Sequence, residues 1–378
     1  MLTLAFHPVD TWFFRESRPM DSQGGTSLGN QFPPAPATLM GALRTRIGDM
    51  LGADWQNIGS LPSWWGDADQ WGDLKLEGPW LRLGKEDFVP CPAHLLRQND
   101  PASGYVMLMP GDMVHCDLGQ VRLPALPNGT PPGVKPLDDH WLPRSALSPL
   151  LTGQLPGHKT PAVNTSALLA DEYRLGIAID HSKRAVVDGQ LYQTRHLRPR
   201  QSLAVMVSLH GLPAEQEQAL IRDLATQPLL RLGGEGRMAE VEVVERPTPV
   251  GQGTPPKKAK LLAVTQAPMA IVPEQWPLPG FIKQKRDDLD CWQGELGGYP
   301  LTLIAMATGK VRRQGGWDLT RHQPRPVHNV LPAGTVFFFD DAPLPRELCT
   351  LMLEQAGQQT PLTLGWWQDN QFLTRSDR

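Results

Sequence analysis

The chain has 378 residues, more than one hydrophobic core usually supports, so two domains are expected. Hydrophobic residues make up 40% of the chain and charged residues 20%, a composition typical of folded proteins rather than disordered ones. The net charge of −3 gives no global sign of a polyanionic partner, because an autonomous nucleic-acid-binding domain is usually basic overall.

The numbers of proline, glycine and cysteine residues further limit the classes of protein to which the chain can belong. The 38 prolines and 36 glycines follow no repeat period, which predicts long irregular connections and loops that carry the function. The four cysteines form no C-x-x-C pair, which argues against a zinc ribbon or a redox pair. No apolar run reaches the roughly 18 residues of a membrane span, and no signal peptide is recognisable, so the expected location is cytoplasmic.

The first elements of the chain are a strand and a helix. Leu2–Pro8 alternates apolar and small residues before a proline, which predicts a strand. Residues 37–51 place apolar side chains at helical spacing, with Thr38 as the expected cap and Gly52 as the stop. Residues 53–170 show no regular pattern. Because this stretch is too long for a plain loop, we predict an insertion with some structure of its own.

Regular patterns return in the next part of the chain. Alternating runs at 173–180 and 190–200 predict a β-hairpin or two neighbouring strands, and a further strand is predicted at 202–211. A proline followed by helical spacing predicts a helix over 213–227. A glycine-rich turn, 233–236, then leads into another strand. Without the insertion this order is βαββαβ, which ferredoxin-like and RRM domains share.

A linker rich in proline, glycine and lysine, 246–260, indicates a domain boundary near residue 250. We therefore predict a first domain over 1–248 and a second, smaller one over 249–378. The second domain repeats the order loosely, with a helix expected over 344–357 and a closing strand at 361–368. The predicted fold class is α+β, with two ferredoxin-like (RRM-like) domains and a long insertion in the first.

The glycine-rich segment 231–237 has two interpretations. It is neither a dinucleotide fingerprint nor a P-loop, because no G-K-S/T occurs and the segment is expected between a helix and a strand. Its glycines would let backbone N–H groups approach an anionic backbone, and Arg231 and Arg237 add positive charge. The same glycines suit a tight helix-to-strand turn. The sequence leaves both interpretations open.

Basic residues cluster despite the acidic total. One group lies in and just after the predicted hairpin and comprises Lys183, Arg184, Arg195, His196, Arg198 and Arg200. A second group lies in the second domain and comprises Lys310, Arg312, Arg313, Arg321, His322 and Arg325. Further arginines flank the first loop: Arg15, Arg18, Arg44 and Arg46. A single charge run is usually a solvated face, but two clusters and four more arginines weaken that interpretation.

Catalytic patterns are weak in this sequence. There is no H-E-x-x-H and no H-x-E with paired cysteines, so zinc protease and zinc deaminase activities have no support. A metal-free ribonuclease needs only two histidines, or a histidine and a lysine, to move protons. His181 beside Lys183, or His7, would serve, although no spacing distinguishes either histidine from an ordinary surface or core residue.

Several separated segments, in one order along most of the chain, carry a family resemblance. They are DTWFFRESRP, FPPAPATLMGALRT, GIAID with DGQLYQTRHLR, RLGGEGRMAEV, and GGWDL with PRPVHNVLPAGTVFFFD. Together they resemble the RAMP superfamily's third subunit of type III-B CRISPR effector (Cmr) complexes, which lies at the 5′ handle of the guide RNA. The resemblance implies two ferredoxin-like RAMP domains and an RNA-contacting loop at Gly233, Gly234 and Gly236.

The same resemblance implies a function and partners. The chain would bind the crRNA 5′ handle beside the large polymerase-like subunit and the backbone RAMP subunit, as part of antiviral RNA-guided defence. It would have no catalytic residues, no metal, no cofactor, no membrane partner and no small-molecule substrate. The alternative, from a different class, is a metal-independent endoribonuclease that processes CRISPR transcripts.

Aromatic and basic residues together suit single-stranded RNA, whose bases stack on rings or guanidinium planes while other cations hold the phosphates. The predicted RNA-binding residues are Phe13, Phe14, Arg15, Arg18, Arg44, Arg195, Arg198, Arg231, Gly233, Gly234, Gly236, Arg237, Lys310, Arg312 and Arg313. A rival interpretation packs Trp12 and Phe14 inward and pairs Arg15 with Asp10. We expect a mixture, with one of the aromatic residues structural.

Overall fold

The computed structural model describes residues 1–17, 27–98, 104–247, 259–318, 321, 323–340, 350–355 and 358–367. The chain forms two compact units, each assembled from three stretches. Unit 1 comprises Met1–Lys85, Thr165–Arg246 and Arg313–Asn329, and unit 2 comprises Glu86–Asn164, Pro247–Arg312 and Val330–Arg378. Residues 86–164, inside the predicted insertion, thus belong to unit 2. The predicted domain bounds, 1–248 and 249–378, stay a prediction.

The described elements are mostly strands. The helices are α1 Pro36–Met50, α2 Arg144–Leu151, α3 Thr165–Leu168 and α4 Ala214–Thr226. The strands of the first half are β1 Leu2–Pro8, β2 Ser27–Leu28, β3 Lys75–Leu83, β4 Glu86–Pro90, β5 Leu95–Arg97, β6 Tyr105–Met107, β7 Met109–Cys116, β8 Gly119–Ala125, β9 Lys135–Pro136, β10 His140–Pro143, β11 Val163–Asn164, β12 Leu169–Asp180 and β13 Ala185–Pro199. The remaining strands are β14 Leu203–His210, β15 Leu229–Arg231, β16 Met238–Val244, β17 Lys260–Thr265, β18 Met269–Ala270, β19 Ile282–Arg286, β20 Leu289–Leu296, β21 Tyr299–Ala307, β22 Arg312–Asp318, β23 Gln323–Leu331, β24 Val336–Asp340, β25 Thr350–Gln355 and β26 Gln358–Trp367.

Strand β1 lies at the centre of the unit 1 sheet. It pairs antiparallel with β14 on one side and with β16 on the other, and the unit 1 strands follow the order β3, β14, β1, β16, β15. Leu4 lies opposite Val207 of β14 and Val243 of β16. The side chains of Leu4 and Phe6 are fully buried, so burial of this apolar strand fixes the register of its neighbours. The predicted strand Leu2–Pro8 is confirmed.

Helix α1 begins at Pro36, so the predicted cap at Thr38 is wrong. Proline suits the first helical turn because its missing N–H would have no partner there, and no side chain caps this helix. Leu43 and Ile47 belong to the buried stripe. Gly52 follows the helix with a φ of +71°, as expected for a helix stop.

Helix α4 lies beside α1. It buries Leu220 and Leu224, and Arg46 of α1 forms a salt bridge with its Asp223 at 2.5 Å. The helix predicted over 213–227 is confirmed. No helix in the described ranges combines the length and the apolar character that crossing a membrane requires.

The predicted hairpin is confirmed, and it is longer than expected. Strands β12 and β13 pair from Leu169 opposite Pro199 to Asp180 opposite Ala185. Even-numbered residues of β12 are partly buried, while the odd-numbered ones from 171 to 179 are exposed and include the apolar Leu175. Because side chains alternate across a strand, the hairpin has one partly covered polar face and one exposed apolar face.

The glycine-rich turn lies between two strands. Strand β15 follows α4 and pairs with β16, with Leu230 opposite Ala239. The loop is therefore the turn of a β-hairpin. The prediction that it lies between a helix and a strand is wrong, because the short strand β15 separates it from the helix. The three residues of β15 were missed because so short a run has no readable period.

Unit 2 contains a sheet with the order β19, β20, β21, β24, β17, β26, β25. The predicted closing strand is confirmed as β26, which pairs with β17 and β25. The helix predicted over 344–357 is wrong where the structure describes it, because residues 350–355 form β25. Leu351 lies opposite Leu362 and Leu353 opposite Thr360, so pairing with β26 outweighs the helical propensity of this segment. Residues 344–349 and 356–357 lie outside the described residues.

Candidate nucleic-acid interface

The segment that follows β1 is fixed to β13 through its backbone. Trp12 donates its N–H to the carbonyl of Leu197 at 2.9 Å, and Leu197 donates to the carbonyl of Trp12 at 2.8 Å. Asn30 adds a second tie, because its Oδ1 accepts from the amide of Phe14 at 3.1 Å and its Nδ2 donates to the carbonyl of Trp12 at 3.0 Å. These bonds hold the segment in one orientation.

This orientation places three aromatic rings inside unit 1. Trp12, Phe13 and Phe14 expose 0%, 2% and 6% of their surface. Trp12 stacks on Phe32 with ring centroids 5.6 Å apart, and Phe13 stacks on His196 at 5.0 Å. The expectation of an exposed stacking ring at Phe13 or Phe14 is wrong, because burying large apolar rings is favourable. The rival expectation that Trp12 and Phe14 pack inward is confirmed.

The glycine loop, residues 232–237, packs against Phe13. Gly234 donates its N–H to the carbonyl of Phe13 at 2.8 Å. Gly233 has a φ of +94°, and a Cβ at this position would lie only 2.5 Å from that carbonyl oxygen. Glycine is therefore required at 233 by a close approach within the chain itself and by a left-handed backbone. The turn interpretation accounts for Gly233 and Gly234.

The other half of the loop points away from Phe13. Glu235 and Gly236 have φ values of +54° and +64°, and a Cβ at Gly236 would meet nothing within 4 Å. Arg237 donates from its Nε to the carbonyl of Glu235 at 3.3 Å. Arg231, on β15 before the loop, is exposed. This half of the loop is where an external group has room to approach.

Five charged side chains meet beside the loop and form what we call the Asp10 cluster: Asp10, Glu172, Arg174, Arg198 and Arg237. Asp10 accepts from Nη2 of Arg174 at 2.9 Å, from Nη2 of Arg198 at 2.9 Å and from Nη1 of Arg237 at 3.1 Å. Glu172 accepts from Nη2 of Arg174 at 2.6 Å and from Nε of Arg198 at 2.5 Å. Three guanidinium groups thus face two carboxylates.

Charge-assisted hydrogen bonds keep the cluster ionised. Arg174, and then Arg198, holds the pKa of Asp10 below its usual value. Arg198, and then Arg174, does the same for the pKa of Glu172. The same bonds raise the pKa values of Arg174, chiefly through Asp10, and of Arg198, chiefly through Glu172. All four groups therefore stay charged at neutral pH.

An open groove of about 160 Å³ borders the cluster. Its lining comes mainly from the polar face of the hairpin and from the glycine loop, with Leu175 of the other face at its border. The lining residues are Arg174, Leu175, Gly176, Tyr192, Thr194, His196, Glu235 and Arg237. Guanidinium groups hold phosphates, a phenol ring offers a stacking surface, and hydroxyl groups bond to sugars and bases. The groove therefore combines the side chains that a single-stranded nucleic acid requires.

His196 supports the groove from beneath as a neutral side chain. Its Nδ1 lies 3.1 Å from Oγ1 of Thr11, and its Nε2 lies 3.1 Å from Oγ1 of Thr194. Burial lowers its pKa to about 4, and the positive charges of Arg174 and Arg237 act in the same direction. Both ring nitrogens contact side chains of the chain itself, so His196 holds β13 against the segment that follows β1.

Arg44 has a packing role in unit 1. It is buried, its guanidinium carbon lies 3.9 Å from the ring centroid of Trp65, and its Nη2 donates to the carbonyl of Asp67 at 2.5 Å. Burial lowers its pKa to about 10. Little of the Arg44 guanidinium surface is exposed, so little of it is available for the predicted contact with RNA.

The other predicted RNA-binding residues are dispersed. Arg195 donates to the carbonyl of Asn30 at 3.2 Å, on β13 near the cluster. Lys310 and Arg312 belong to unit 2, where Arg312 pairs with Asp139. The exposed Arg15 and Arg313 belong to unit 1, and Arg18 lies outside the described residues. RNA binding by these side chains stays a prediction.

Sequence analysis missed several groove residues, although one signal would have found them. Glu172 lies opposite His196, Arg174 opposite Thr194 and Gly176 opposite Tyr192. These residues share one face because side chains alternate with a period of two on both strands. Charge counting alone selected Arg198 and passed over Arg174. Within the described residues, no group of three or more histidine, cysteine or acidic side chains is placed to hold a metal.

Comparison with known families gives one match along the chain. The model of the family described as CRISPR-associated protein (Cas_Cmr3) matches residues 4–362. This range covers most of the 378 residues and confirms the family resemblance predicted from the sequence. No curated protein sequence matches the chain.

Two solved structures to which the chain is similar are chains of CRISPR complexes. A chain in the cryo-EM structure of the Type III-B Cmr-beta bound to cognate target RNA and AMPPnP is 15% identical, covers 89% of this chain and 86% of its own length, and has a TM-score of 0.48. A chain in the crystal structure of the Csm3-Csm4 subcomplex of the type III-A CRISPR-Cas interference complex is 11% identical, with coverage of 97% and 99% and a TM-score of 0.44.

We expect Gly233→Val to destabilise unit 1 by about 1 to 3 kcal/mol, because a β-branched residue is strained at positive φ and its Cβ would clash with the carbonyl of Phe13. Gly236→Ala is the matched control, since it adds a Cβ at positive φ in open space and should cost about 1 kcal/mol. Chemical denaturation measures both. Equal small losses would contradict a close approach at Gly233.

We expect stability to fall as the pH drops from about 6.5 towards 4. The unfolded chain takes up a proton on His196 near pH ~6.5, whereas the folded chain does so only near its pKa of about 4. One such proton gives a slope of up to about 1.4 kcal/mol per pH unit. His94, fully buried with a pKa lowered to about 3 by burial, acts with the same sign. Urea denaturation across this range should show a shallower slope for His196→Gln, and an unchanged slope would contradict the assignment.

Proposed function

Because the chain belongs to the family described as CRISPR-associated protein (Cas_Cmr3), we propose that it is a non-catalytic RNA-binding subunit of a cytoplasmic type III-B CRISPR effector ribonucleoprotein. It holds the 5′ handle of the crRNA. Its protein partners are the large polymerase-like subunit and the backbone RAMP subunit. Within the complex it serves antiviral, RNA-guided defence.

The observation that carries this proposal is the convergence of three guanidinium groups on one groove edge. Arg174 comes from β12, Arg198 from β13 and Arg237 from the glycine loop. Arginine binds phosphate oxygens in bidentate fashion, and several arginines at one point suit a polyanion. The neighbouring Tyr192 lines the groove and offers a ring and a phenol hydroxyl to a base and its ribose.

We also propose that each unit is built on a ferredoxin-like sheet. In unit 1, the chain order β1, α1, β3, β14, α4, β16 gives the antiparallel strand order β3, β14, β1, β16. This is the arrangement in which the first and third strands are central and both helices cross over the sheet. In unit 2, β21, β24, β17 and β26 have the corresponding order, and the described crossovers carry short strands in place of long helices.

A non-catalytic role fits the chemistry of the groove. A histidine pair that acts as general acid and base needs accessible ring nitrogens that titrate near neutral pH. His196 is buried and has its pKa lowered to about 4. Its two nitrogens contact Thr11 and Thr194. Among the groove residues no second histidine is present, so the groove has no histidine pair to transfer protons at a ribose hydroxyl.

Replacing Arg237 by glutamine should weaken RNA binding by the full chain and reduce its salt dependence. Each lost phosphate contact on a single strand lowers the log-log slope by about 0.7. The measurement is fluorescence anisotropy of a labelled 5′-handle RNA at a series of salt concentrations, with the chain alone and in the reconstituted complex. Arg222→Gln, at an exposed position of α4, is the control and should change neither quantity. An unchanged slope for Arg237→Gln would exclude the groove edge from phosphate binding.

The endoribonuclease alternative makes a different prediction. Incubation of the purified chain with repeat RNA in EDTA should leave the RNA intact, because the described groove lacks a pair of histidines that could act as acid and base. A defined cut that disappears in His181→Ala would replace the non-catalytic proposal by processing at the exposed hairpin turn. Denaturing gels of end-labelled RNA give the answer, and a cut that persists in this variant would point to a contaminating nuclease.

A further inference from the structure

Asp10 occupies the point at which the three arginines of the Asp10 cluster meet. Its Oδ1 contacts Arg198, and its Oδ2 contacts both Arg174 and Arg237. The side chain remains 42% exposed, so this point is open to solvent. A ligand that reaches the guanidinium groups must therefore share or take the position of this carboxylate.

The carboxylate of Asp10 has the chemistry of one phosphodiester group. Both carry one negative charge distributed over two oxygens that accept hydrogen bonds, and guanidinium groups bind both in the same bidentate manner. Glu172 occupies a different place, because it contacts Arg174 and Arg198 from β12 and has no contact with Arg237. Of the two carboxylates in the cluster, Asp10 is the one that bridges the hairpin and the glycine loop.

The position of Asp10 is continuous with the groove. Arg174 and Arg237 belong both to the cluster and to the groove lining, so a phosphate bound between them would have its nucleotide beside Tyr192 and Thr194. The backbone of the segment is held on either side of Asp10. Val9 donates to the carbonyl of Met238 at 3.2 Å, and Trp12 pairs with β13. Only the Asp10 side chain needs to turn away for the exchange.

Displacing the Asp10 carboxylate from the arginines costs little free energy. Ion pairs between exposed side chains are weak, because water and salt screen them and because two long side chains lose freedom in forming them. Three arginines against two carboxylates leave the cluster with one excess positive charge, which attracts an anion even while Asp10 is in place. A phosphate that also places its nucleotide in the groove gains contacts that Asp10 lacks.

We infer that the site of the Asp10 carboxylate is a subsite for one RNA phosphodiester, which Asp10 fills when no RNA is bound. Asp10 is thus an internal competitor that weakens the binding of arbitrary anions, while an RNA with further contacts displaces it. This inference rests on the proposed RNA-binding function and adds to it the location of one phosphate and a device for selectivity.

The test compares three substitutions in the full chain, each of which replaces a carboxylate by its neutral amide, by anisotropy with the labelled 5′-handle RNA. Asp10→Asn should bind about fivefold more tightly than the wild type, because the competitor is removed. Glu172→Gln should tighten binding less, since Asp10 stays in place. Glu215→Gln, an equal charge change on exposed α4, should leave the affinity within about twofold. Equal tightening by Asp10→Asn and Glu172→Gln would reduce the effect to net charge and overturn the inference.

A second experiment identifies which RNA phosphate takes the place of the Asp10 carboxylate. In a series of handle RNAs, each phosphodiester in turn is replaced by an uncharged methylphosphonate. The difference between wild type and Asp10→Asn should vanish at one linkage and persist at the others. A difference that persists at every linkage would mean that no phosphate takes the place of Asp10. A wild-type chain that binds no handle RNA either alone or in the reconstituted complex would instead refute the proposed function, which keeps the two failures distinct.

Thermal unfolding covers the case in which Asp10→Asn destabilises the cluster through repulsion among its arginines. A ligand that binds the folded state stabilises it in proportion to its affinity. Saturating handle RNA should therefore raise the Tm of Asp10→Asn by more than it raises that of the wild type, because the phosphate restores the missing negative charge. Equal Tm shifts would overturn the inference even for a destabilised variant.

Discussion

The reciprocal hydrogen bonds between Trp12 and Leu197 are the constraint on which the candidate interface depends. They join the segment after the central strand β1 to the hairpin strand β13. Once this register is set, the Trp12 ring turns into the core and Phe13 presents its carbonyl to Gly234. Asp10 then lies where it reaches the hairpin and the glycine loop together. Arginines from three elements converge because this one segment contacts all of them.

The interface balances charge against exposure. Three arginines close together would repel one another, and the carboxylates of Asp10 and Glu172 offset that repulsion. The three guanidinium groups are thus held close together before a ligand binds. Both holding them together and rearranging them cost little free energy. A chain with a net charge of −3 has no strong general attraction for RNA. The proposed binding of RNA would then depend on local geometry and on affinity added by neighbouring subunits.

The two units differ in the elements that connect the strands of their sheets. Unit 1 crosses over its sheet with α1 and α4, whose apolar stripes include Leu43 and Leu220. In unit 2 the described crossovers consist of short strands, and β25 extends the sheet beside β26. An antiparallel sheet tolerates such exchange, because each added strand satisfies its backbone groups by pairing at the edge.

Local patterns in the sequence determined the elements that depend on near neighbours. Strand β1, helices α1 and α4, the hairpin and closing strand β26 follow from hydrophobic periodicity and from proline and glycine signals. The family followed from motifs spread along the chain. Each of these depends on residue types a few positions apart, which a single sequence displays directly.

Only the tertiary structure decided which side chains face solvent and which charges meet. Burial of Phe13 and the contact of Asp10 with Arg174 and Arg237 depend on partners far away in the chain. Burial of Arg44 and the strand at 350–355 depend on nearer partners, Trp65 and β26, whose contacts the local pattern does not show. Periodicity gives the spacing of a face but not what covers it, and a charged residue does not reveal its partner across more than a hundred positions. Those pairings are selected by the packing of whole sheets and hairpins, where burial and hydrogen bonding outweigh local preference.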